Sequence, residues 1–421
     1  MSKVNRRDFV KTGGALSAAA FMSQVPLVYA GGQEQTIRIA LVGCGGRGTG
    51  AAENCLSAAD NVQLVALGDM FKEKVEASAK QLKGNPGFKV VEENFFHGFD
   101  AYKKVLQTQA DLVLFATPPG FRPMHFAAAV EAGKHVFIEK PCAVDPAGVR
   151  KVIETGKKAA EKKLAVVAGT QYRHQTSFME TIKRVHDGMI GDVISGRAYY
   201  NTGALWYKER APGMTEMEWQ LRNWLYFDWL SGDHIVEQHI HTIDVTDWVM
   251  NSHPVSAVGT GGRAVRTGEQ FGNIWDHFTI DYEYPKKAHV MSMARQWANT
   301  ANHVGAEFQG TKGSVDTYKA EITDLDGKRI WKFDGQISIA KAYVQEHTDL
   351  INSIRAGKPL NESEQVAHST LTAILGREAA YTGKKITWQE ILESELDLSP
   401  EKYEMGDNPV RPVPVPGKPR A

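Results

Sequence analysis

The stretch that decides the fold is TIRIALVGCGGRGTGAAENCLS, residues 36–57. It begins with an apolar run, Ile37–Val42, which predicts a buried strand. A dense group of glycines follows, and the residues after it are typical of a helix. Gly43, Gly45 and Gly48 fit the pattern G-x-G-x-x-G in the strand–turn–helix context that gives the pattern its meaning. The stretch therefore predicts the first unit of a dinucleotide-binding domain.

The glycines of this loop have separate physical roles. Gly43 permits the tight turn, Gly45 lets a pyrophosphate approach the backbone, and Gly48 lets the helix pack closely on the strand. The next predicted strand, NVQLVALGD (residues 61–69), ends in Asp69, whose carboxylate can accept hydrogen bonds from both ribose hydroxyls. Because a carboxylate here disfavours a 2′-phosphate, the sequence predicts NAD rather than NADP.

Strands and helices continue to alternate as far as residue 168. ADLVLFATPPG (110–120), KHVFIEKP (134–141) and AVVAG (165–169) predict further strands with helices between them. Continuous apolar strands of this kind belong to a parallel sheet covered on both faces. We therefore expect an α/β protein whose residues 31–168 form a Rossmann domain with a doubly wound parallel sheet.

Beyond about residue 170 the pattern changes. HFTIDYEY (277–284), HVMSMARQW (289–297) and VGAEFQGTKGSV (304–315) alternate apolar and polar residues, as antiparallel strands with one open face do. We expect residues 169–400 to form an α+β domain that carries substrate and oligomer contacts. Helices predicted at 343–355 and 365–382 could pack back on the first domain. The proline-rich residues 401–421 predict an extended tail, draped or loose.

Charge and cysteine content exclude some classes of function. Lys and Arg together number 49, as do Asp and Glu, so no overall field favours nucleic acid or an anionic membrane. The three cysteines, Cys44, Cys55 and Cys142, provide no disulfide framework. Beyond the N-terminal region no apolar run reaches transmembrane length, so stable membrane insertion is not expected.

The N-terminus has the pattern of a twin-arginine export signal. NRRDFVK (residues 5–11) is followed by a weakly apolar run at 12–28, and Val28 and Ala30 suit cleavage after Ala30. The alternatives are an N-terminal tail without this role or a signal that is retained as an anchor. Residues 1–30 are therefore expected to be a signal peptide that directs the folded protein, with its cofactor, through the export machinery to the periplasm.

A family resemblance becomes specific at TPPGFRPMHFAAAVEAGKHVFIEKP, residues 117–141. Together with residues 171–200 and GTKGS at 310–314, this segment resembles the Gfo/Idh/MocA oxidoreductases over nearly the whole mature chain. The resemblance implies that Lys140, in a constrained turn before a proline, lies beside the nicotinamide and the substrate. The residues then expected to contact the cofactor are Gly43, Gly45, Gly46, Arg47, Gly48, Asp69, Thr117, Pro118, His125, Glu139, Lys140 and Gln171.

The segment GDHIVEQHIH, residues 232–241, carries three histidines and two carboxylates in ten positions. In the family's second motif an acid is followed by a histidine four residues later and an Asp three after that, and here these places hold Glu237, His241 and Asp244. A spacing of four puts Glu237 and His241 on one face of a helix. We interpret His241 as the general base, Lys140 as the group that polarises the substrate oxygen and takes part in a proton relay, and Glu237 as an orienting residue or substrate ligand.

Two other interpretations of this segment remain open. His234, Glu237 and His241 lie at i, i+3 and i+7, a plausible helical face for zinc, although no H-E-x-x-H order and no nearby cysteine supports a metal, and none is expected. The segment is otherwise a polar helix without chemistry, in which His239 is structural. It also departs from the family, which more often has Asp at position 237 and Gly at position 239.

The substrate cleft is expected to draw on residues from several parts of the chain. Arg173 either contacts a substrate hydroxyl or carboxylate, or pairs with an acid across the domain junction. The tryptophans between residues 206 and 229 could stack on a sugar, although core packing is the commoner use of tryptophan. The expected substrate-binding residues are Tyr172, Arg173, His174, Trp206, Trp224 and His234.

The sequence thus predicts an NAD-dependent oxidoreductase, with tightly held cofactor, acting on a secondary hydroxyl of a sugar, glycoside or polyol. An alternative is a redox-assisted glycosidase, in which transient oxidation at C3 permits elimination at C1 and the hydride then returns. The His- and Gly-rich motif associated with that branch is not seen here. A third possibility is a binding module without turnover, against which Lys140, Glu237 and His241 argue. A homo-oligomer is expected.

Overall fold

The computed structural model describes residues 35–418, and two sheets organise them. The predicted signal peptide, residues 1–30, lies outside the described residues. The first sheet is built from the sequence up to residue 168, and the second from residue 193 onward. The site is formed where elements of both sheets meet.

The first sheet has six parallel strands in the order β3-β2-β1-β4-β5-β6. The strands are β1 (Ile37–Val42), β2 (Val62–Asp69), β3 (Phe95–His97), β4 (Leu112–Phe115), β5 (His135–Ile138) and β6 (Val166–Ala168). The helices are α1 (Gly46–Ala58), α2 (Lys72–Leu82), α3 (Ala101–Leu106), α4 (Arg122–Glu131) and α5 (Pro146–Glu161). The strand residues of β4 are buried throughout, as a sheet covered on both faces requires. The predicted doubly wound parallel sheet is confirmed.

The second sheet has nine strands in the order β14-β13-β12-β11-β7-β10-β9-β8-β15. They are β7 (Val193–Thr202), β8 (Ser256–Gly262), β9 (His277–Glu283), β10 (His289–Gln296), β11 (His303–Gly310), β12 (Gly313–Asp316), β13 (Glu321–Asp324), β14 (Arg329–Lys332) and β15 (Ile386–Thr387). Only the β7–β10 pair is parallel among these described strands. Burial alternates along β9 and β10, so one face is packed and the other is open. The predicted open, mostly antiparallel sheet is confirmed.

The second half of the described chain also contains helices, some of which pack on this sheet. They are α6 (Thr176–His186), α7 (Glu216–Arg222), α8 (Asp228–Ser231), α9 (His234–Glu237), α10 (Ile240–Met250), α11 (Ile339–Arg355), α12 (Ser363–Thr382) and α13 (Trp388–Glu393). α10 packs on β7, and α12 packs on β8. These two helices place the His-rich segment and its supporting residues behind the sheet.

The last long helices return to the first sheet. α11 packs against α1 and β6, and its residues Leu350 and Ile351 belong to the same apolar core as Leu41. α12 packs against α5 as well as against the second sheet. α11 and α12 therefore fasten the two halves together beside the cofactor loop.

The proline-rich tail, as far as it is described, is draped over the second half. The Asn408 carbonyl accepts a hydrogen bond from Gln220 at 2.5 Å, and the Pro414 carbonyl accepts one from the Trp275 indole at 3.1 Å. Of the two predicted states of the tail, the structure shows the draped one. In residues 35–418, no helix combines the length and apolar character needed to cross a bilayer.

Candidate active site

The glycine loop has the geometry that a dinucleotide requires. Gly43 has a φ of +100°, and a Cβ there would come within 2.6 Å of the Thr117 nitrogen. A Cβ on Gly48 would lie 1.8 Å from the Gly43 carbonyl oxygen, so only glycine lets α1 begin this close to β1. At Gly45, by contrast, no atom of the described chain other than its own neighbours comes within 4 Å of the Cβ position. This open space at the N-terminus of α1 fits a pyrophosphate.

Asp69 closes the loop at the end of β2. One carboxylate oxygen accepts a hydrogen bond from the Cys44 amide at 2.7 Å, and the other accepts one from the Phe71 amide at 2.9 Å. Each oxygen keeps a second lone pair, so the carboxylate can still accept from a ribose hydroxyl. Burial raises the pKa of Asp69, and the two amide hydrogen bonds oppose that shift. Asp69 therefore fixes the loop in addition to the ribose role predicted for it.

Arg47 has partners that the sequence did not predict. Its Nε pairs with Glu139, its Nη2 donates to Glu346 at 2.9 Å, and its guanidinium lies 4.4 Å from the ring centre of Tyr343. Burial opposes the charge, yet the two carboxylates raise the pKa of Arg47 above its ordinary value. The side chain that was expected to contact cofactor therefore links the glycine loop to the turn after β5 and to α11.

Lys140 lies in the turn after β5, where the peptide bond to Pro141 is cis. Its ammonium donates to the Glu237 carbonyl oxygen at 2.6 Å and pairs with the Glu237 carboxylate at 3.1 Å. The lysine side chain is 12% exposed. Its backbone amide donates to Glu139, whose carboxylate is buried and paired with Arg47. Lys140 is thus held by groups from both halves of the chain.

The His-rich segment does not form one helix, and this part of the prediction is wrong. α9 ends at Glu237 and α10 begins at Ile240, with Gln238 at φ −116° between them. Asp233 at the start accepts from the Trp275 amide and the Tyr381 hydroxyl, and His239 bonds Ser292. These tertiary hydrogen bonds hold both sides of the break. Glu237 and His241 consequently meet Lys140 from two short helices rather than from one face.

His241 has the environment of a neutral imidazole. Its Nδ1 lies 3.5 Å from the Gln171 amide nitrogen, and its ring centre lies 5.9 Å from Tyr172 and 6.2 Å from Tyr200. Burial, reinforced by the positive charges of Lys140 and Arg47, lowers the pKa of His241 well below its ordinary value. An imidazole that stays neutral at physiological pH is ready to accept a proton.

Lys140 and His241 open onto the same small cavity. The described residues that line it are Lys140, Thr170, Tyr172, Ile240, His241 and Asp244. Lys140 comes from the end of the first sheet, and the histidine comes from the helix behind the second. The structure therefore brings together the predicted acid–base pair and Tyr172, the latter being one of the predicted substrate residues.

His234 is placed differently from the expectation for a substrate ligand. It is 1% exposed, packs edge-on against Phe278 with ring centres 5.1 Å apart, and has no hydrogen-bond partner on either ring nitrogen among the described residues. Burial lowers its pKa well below the ordinary value. A side chain enclosed in this way does not reach the cavity. In residues 35–418, no three His, Cys, Asp or Glu side chains are grouped to hold a metal ion.

Arg173 and His174 are engaged by carboxylates of the protein. Arg173 Nε lies 3.0 and 2.9 Å from the two oxygens of Asp244, so of the two predicted roles the structure shows the ion pair. His174 lies between Asp349 and Glu362, at 2.7 and 3.3 Å. Although burial opposes it, the two acids raise the pKa of His174 to about 10. These pairs join the segment after β6 to α10, α11 and the start of α12.

The predicted tryptophans lie apart from this cavity. Trp206 is 47% exposed and makes an edge-on contact with Trp224 at 6.4 Å between ring centres. Neither is among the described residues that line the cavity around Lys140. Trp219 and Trp229 of the same stretch, together with Tyr226, are buried in an apolar core. Most of these aromatic side chains therefore pack in the core, and Trp206 is the most exposed of the tryptophans in this stretch.

Three predicted cofactor residues shape the turn after β4. Thr117 and Pro118 lie in this turn, one residue beyond the end of the strand, and the Thr117 hydroxyl lies 3.2 Å from His125 Nδ1. The His125 ring packs 4.3 Å from that of Tyr102, and burial lowers its pKa to about 3. His125 is therefore a neutral, buried side chain that contacts the turn through Thr117.

Several residues of the site were not identified from the sequence. Thr170 and Ile240 line the cavity, Glu346 pairs with Arg47, and Arg122 is a buried cation behind Lys140. Only Arg122 carried a signal: a positive charge at the first position of a helix opposes the helix dipole, and apolar neighbours surround it in the sequence. The other three are brought in by packing between distant segments.

The first sheet carries a dinucleotide-binding loop and Lys140, and a helix behind the second sheet brings an imidazole to the same lysine. These features define a two-domain NAD-binding oxidoreductase. The sequence model described as "Oxidoreductase family, NAD-binding Rossmann fold" matches residues 37–168, and the "GFO/IDH/MocA C-terminal domain" model matches residues 178–316. The chain belongs to the Gfo/Idh/MocA family of oxidoreductases.

Named relatives and solved structures add to this assignment. The scyllo-inositol 2-dehydrogenase (NAD(+)) of Bacillus subtilis is 24% identical, over 77% of this chain and 88% of that protein. A glycosyl hydrolase family 109 protein of Streptomyces coelicolor is 29% identical, but over only 39% of this chain and 34% of that protein. A Lactobacillus casei scyllo-inositol dehydrogenase, solved with bound NAD(H) and scyllo-inositol, has a TM-score of 0.64 at 20% identity, covering 84% of this chain and all of that one. This last likeness shows the shared fold.

Proposed function

We propose that this oxidoreductase transfers hydride between NAD and a secondary hydroxyl of a sugar, glycoside or polyol. The observation that carries the proposal is the convergence of the Lys140 ammonium and the His241 imidazole on one cavity. The names of the inositol dehydrogenases among its relatives favour a polyhydroxylated ring as substrate. The Asp69 carboxylate favours NAD over NADP, since it would repel a 2′-phosphate.

The residues divide the proton chemistry between them. Bound NAD supplies the hydride acceptor at C4 of its nicotinamide ring. Lys140 donates a hydrogen bond to the substrate oxygen and stabilises the negative charge that develops there. Neutral His241 takes the hydroxyl proton, and its pKa, lowered by burial and by Lys140, keeps it unprotonated beforehand. Glu237 holds Lys140 in place through the hydrogen bonds already described.

The test is turnover with a panel of ring alcohols. The purified protein is first denatured to identify any co-purified nucleotide, and is then assayed with inositols, glucosides and galactosides while NADH absorbance is followed. We expect NAD in the extract, and keto products from at least one ring alcohol. If neither the protein as isolated nor the NAD-saturated protein oxidises any member of the panel, and no keto sugar is reduced with NADH, the proposal is wrong.

A redox-neutral glycosidase is the second candidate, favoured by the relatives named as family 109 glycosyl hydrolases. The same residues would serve it, since oxidation at C3 makes the C2 proton acidic enough for elimination at C1. Product analysis of an aryl glycoside separates the two activities. A keto glycoside supports the dehydrogenase, whereas released aglycone with no net NADH supports the glycosidase.

We also propose that residues 1–30 export the folded protein to the periplasm and that the protein is a homo-oligomer. The paired Arg6 and Arg7 and the alanine at position 30 support export. The open face of the second sheet supports assembly, because a sheet face of this size is commonly covered. Fractionation of cells carrying Arg6→Lys with Arg7→Lys tests export, and light scattering of the purified protein tests assembly.

A further inference from the structure

We propose that Arg122 is a positioning residue that fixes the turn carrying Lys140. The proposal rests on the proposed function, because it assumes that Lys140 acts on the substrate oxygen. Arg122 begins α4, directly after the turn that follows β4. It is only 4% exposed, although it carries a guanidinium. A cation is rarely buried this fully without a specific task.

Arg122 binds the turn that carries Lys140 directly. Its Nη1 donates a 2.5 Å hydrogen bond to the carbonyl oxygen of Pro141, the residue directly after Lys140. Pro141 has no amide hydrogen with which to anchor this turn itself. The neighbouring Lys140 amide donates only within the turn, to Glu139. The hydrogen bond from Arg122 therefore anchors the turn at a residue that cannot donate a backbone hydrogen bond of its own.

The charge of Arg122 also acts on the carboxylates around Lys140. Arg122 makes no side-chain ion pair within hydrogen-bonding distance among the described residues, and its Nε has no partner there. Its charge acts instead on Glu139 and Glu237, the two carboxylates on either side of Lys140. Burial lowers the pKa of Arg122 to about 10, which leaves it charged at neutral pH. Arg122 is also one of the cations that oppose burial and hold the pKa of Glu139 below its ordinary value, so it helps this acid remain ionised beside the lysine.

The position of Lys140 depends on both arginines that bind its turn. Arg47 holds the turn from the Glu139 side, and Arg122 holds it from the Pro141 side. Loss of Arg122 would leave a buried carbonyl without a donor, and the turn would move to find one. Since the lysine must meet a substrate oxygen within hydrogen-bonding distance, a shift of about 1 Å would slow turnover up to roughly a hundredfold.

The test compares Arg122→Met with Arg122→Lys and with a matched control. Arg150 on α5 also donates to two main-chain carbonyls, those of Leu392 and Ser394, at 2.7 Å each. Arg150→Met therefore measures the ordinary effect of losing such bonds away from the lysine. Each full-length variant is trace-acylated with acetic anhydride, and the rate at Lys140 is read by mass spectrometry against an exposed lysine such as Lys83.

We expect Lys140 to be acylated slowly in the unaltered protein, because its ammonium is held by Glu237. Acylation should accelerate in Arg122→Met, partly recover in Arg122→Lys, and stay unchanged in Arg150→Met. In parallel, kcat should fall about ten- to a hundredfold in Arg122→Met while the KM for NAD stays within about twofold. Arg122→Lys, which keeps the charge, should restore part of kcat.

Two results would overturn the positioning role. One is an unchanged Lys140 acylation rate in both Arg122 variants; the other is a loss of kcat in Arg150→Met equal to that in Arg122→Met. If Arg122→Met does not fold, Arg122→Lys against Arg150→Lys decides the same question. The acylation measurement needs no substrate, so it still tests Arg122 if the ring alcohols are not turned over and the proposed function fails.

Discussion

The glycine loop at residues 43–48 and the His-rich segment at residues 232–241 both contact the turn that carries Lys140, through Arg47 and Glu237, yet their conformations are specified in different ways. The loop takes its shape from its own backbone: a left-handed Gly43, and a Gly48 without room for a side chain. The His-rich segment takes its shape from distant residues, since Trp275 and Tyr381 hold Asp233 while Ser292 holds His239.

This difference determines how each region responds to substitution. In the loop, an added methyl group would clash with the backbone at Gly43 or Gly48, or would occupy the space expected for the cofactor at Gly45. In the segment, each side chain acts through the charge and hydrogen bonds of its neighbours. We therefore expect changes in the loop to alter NAD affinity, and changes in the segment to alter the chemical step or the pH dependence of stability.

The largest expected effect is in the segment, for His241→Asn. Loss of the proton acceptor should lower kcat by about 10²- to 10⁴-fold, while NAD affinity, measured by tryptophan fluorescence titration, should stay unchanged. In the unaltered enzyme the acid limb of kcat/KM should lie below pH 6.5, the ordinary histidine value, because the pKa of His241 is lowered by burial.

His289→Asn, on the open face of β10, is the matched histidine control and should retain full kcat. A His241→Asn variant with nearly full kcat and an unchanged acid limb would show that another group takes the proton. The segment would then resemble the loop in serving binding rather than chemistry.

The next effect is in the loop, for Gly45→Ala. No described atom crowds the Cβ position, and the backbone of Gly45 (φ −74°) suits alanine, so the variant should fold with unchanged thermal stability. The new methyl group would occupy the space left for pyrophosphate. A clash of about 1–3 kcal/mol predicts a roughly five- to 150-fold rise in the Kd for NAD.

Gly50→Ala is the control, because it lies further along α1 and its Cβ position is equally open. It should bind NAD normally and gain slightly in stability, since alanine is favoured over glycine within a helix by about 1 kcal/mol. Equal NAD affinities for the two variants, measured by calorimetric titration, would mean that the pyrophosphate does not lie over Gly45.

The smallest effect is on stability, for His234→Leu in the segment. The folded-state pKa of His234 lies well below the ordinary 6.5, so below pH 6.5 the unfolded chain binds a proton that the folded chain does not. The free energy of unfolding is therefore not reduced by this group above pH 6.5, and it decreases as the pH falls below that value. Leucine removes this dependence, worth about 1.4 kcal/mol per pH unit.

At pH 7 the free energy of unfolding should change by less than about 1.5 kcal/mol, because the two side chains are similar in volume. Urea unfolding at pH 7 and at pH 5 measures both quantities. The same acid sensitivity in His234→Leu and in the unaltered protein would contradict a neutral buried His234. The glycine loop, which has no histidine, offers no counterpart to this effect.

Much of the fold was predictable because its signals are local. The apolar runs at Ile37–Val42 and 110–120 indicated parallel strands, and the alternation at 277–284 indicated an open-faced sheet. The helix break after Glu237 was not predictable. A spacing of four is compatible with one helix, and the hydrogen bonds that Asp233 and His239 make on either side of the break are to distant residues.

The site was predicted unevenly for the same reason. Lys140 and His241 stood in motifs, and the structure brings them to one cavity. Arg173 was expected either to contact substrate or to pair with an acid, and His174 was expected to face the substrate; their carboxylate partners come from α10, α11 and the residue before α12. No short-range pattern in the sequence announces an ion pair between segments more than seventy residues apart.

The sequence by itself determined the dinucleotide loop, the order of strands and helices and the family to which the chain belongs, because backbone conformation and hydrophobic periodicity depend on near neighbours. Only the tertiary structure decided the charge and direction of the side chains around Lys140. Burial and the approach of distant charges set the protonation of His241 and His174 in opposite directions, although both are histidines of the same chemical type. The field at a side chain is a sum over everything folded around it.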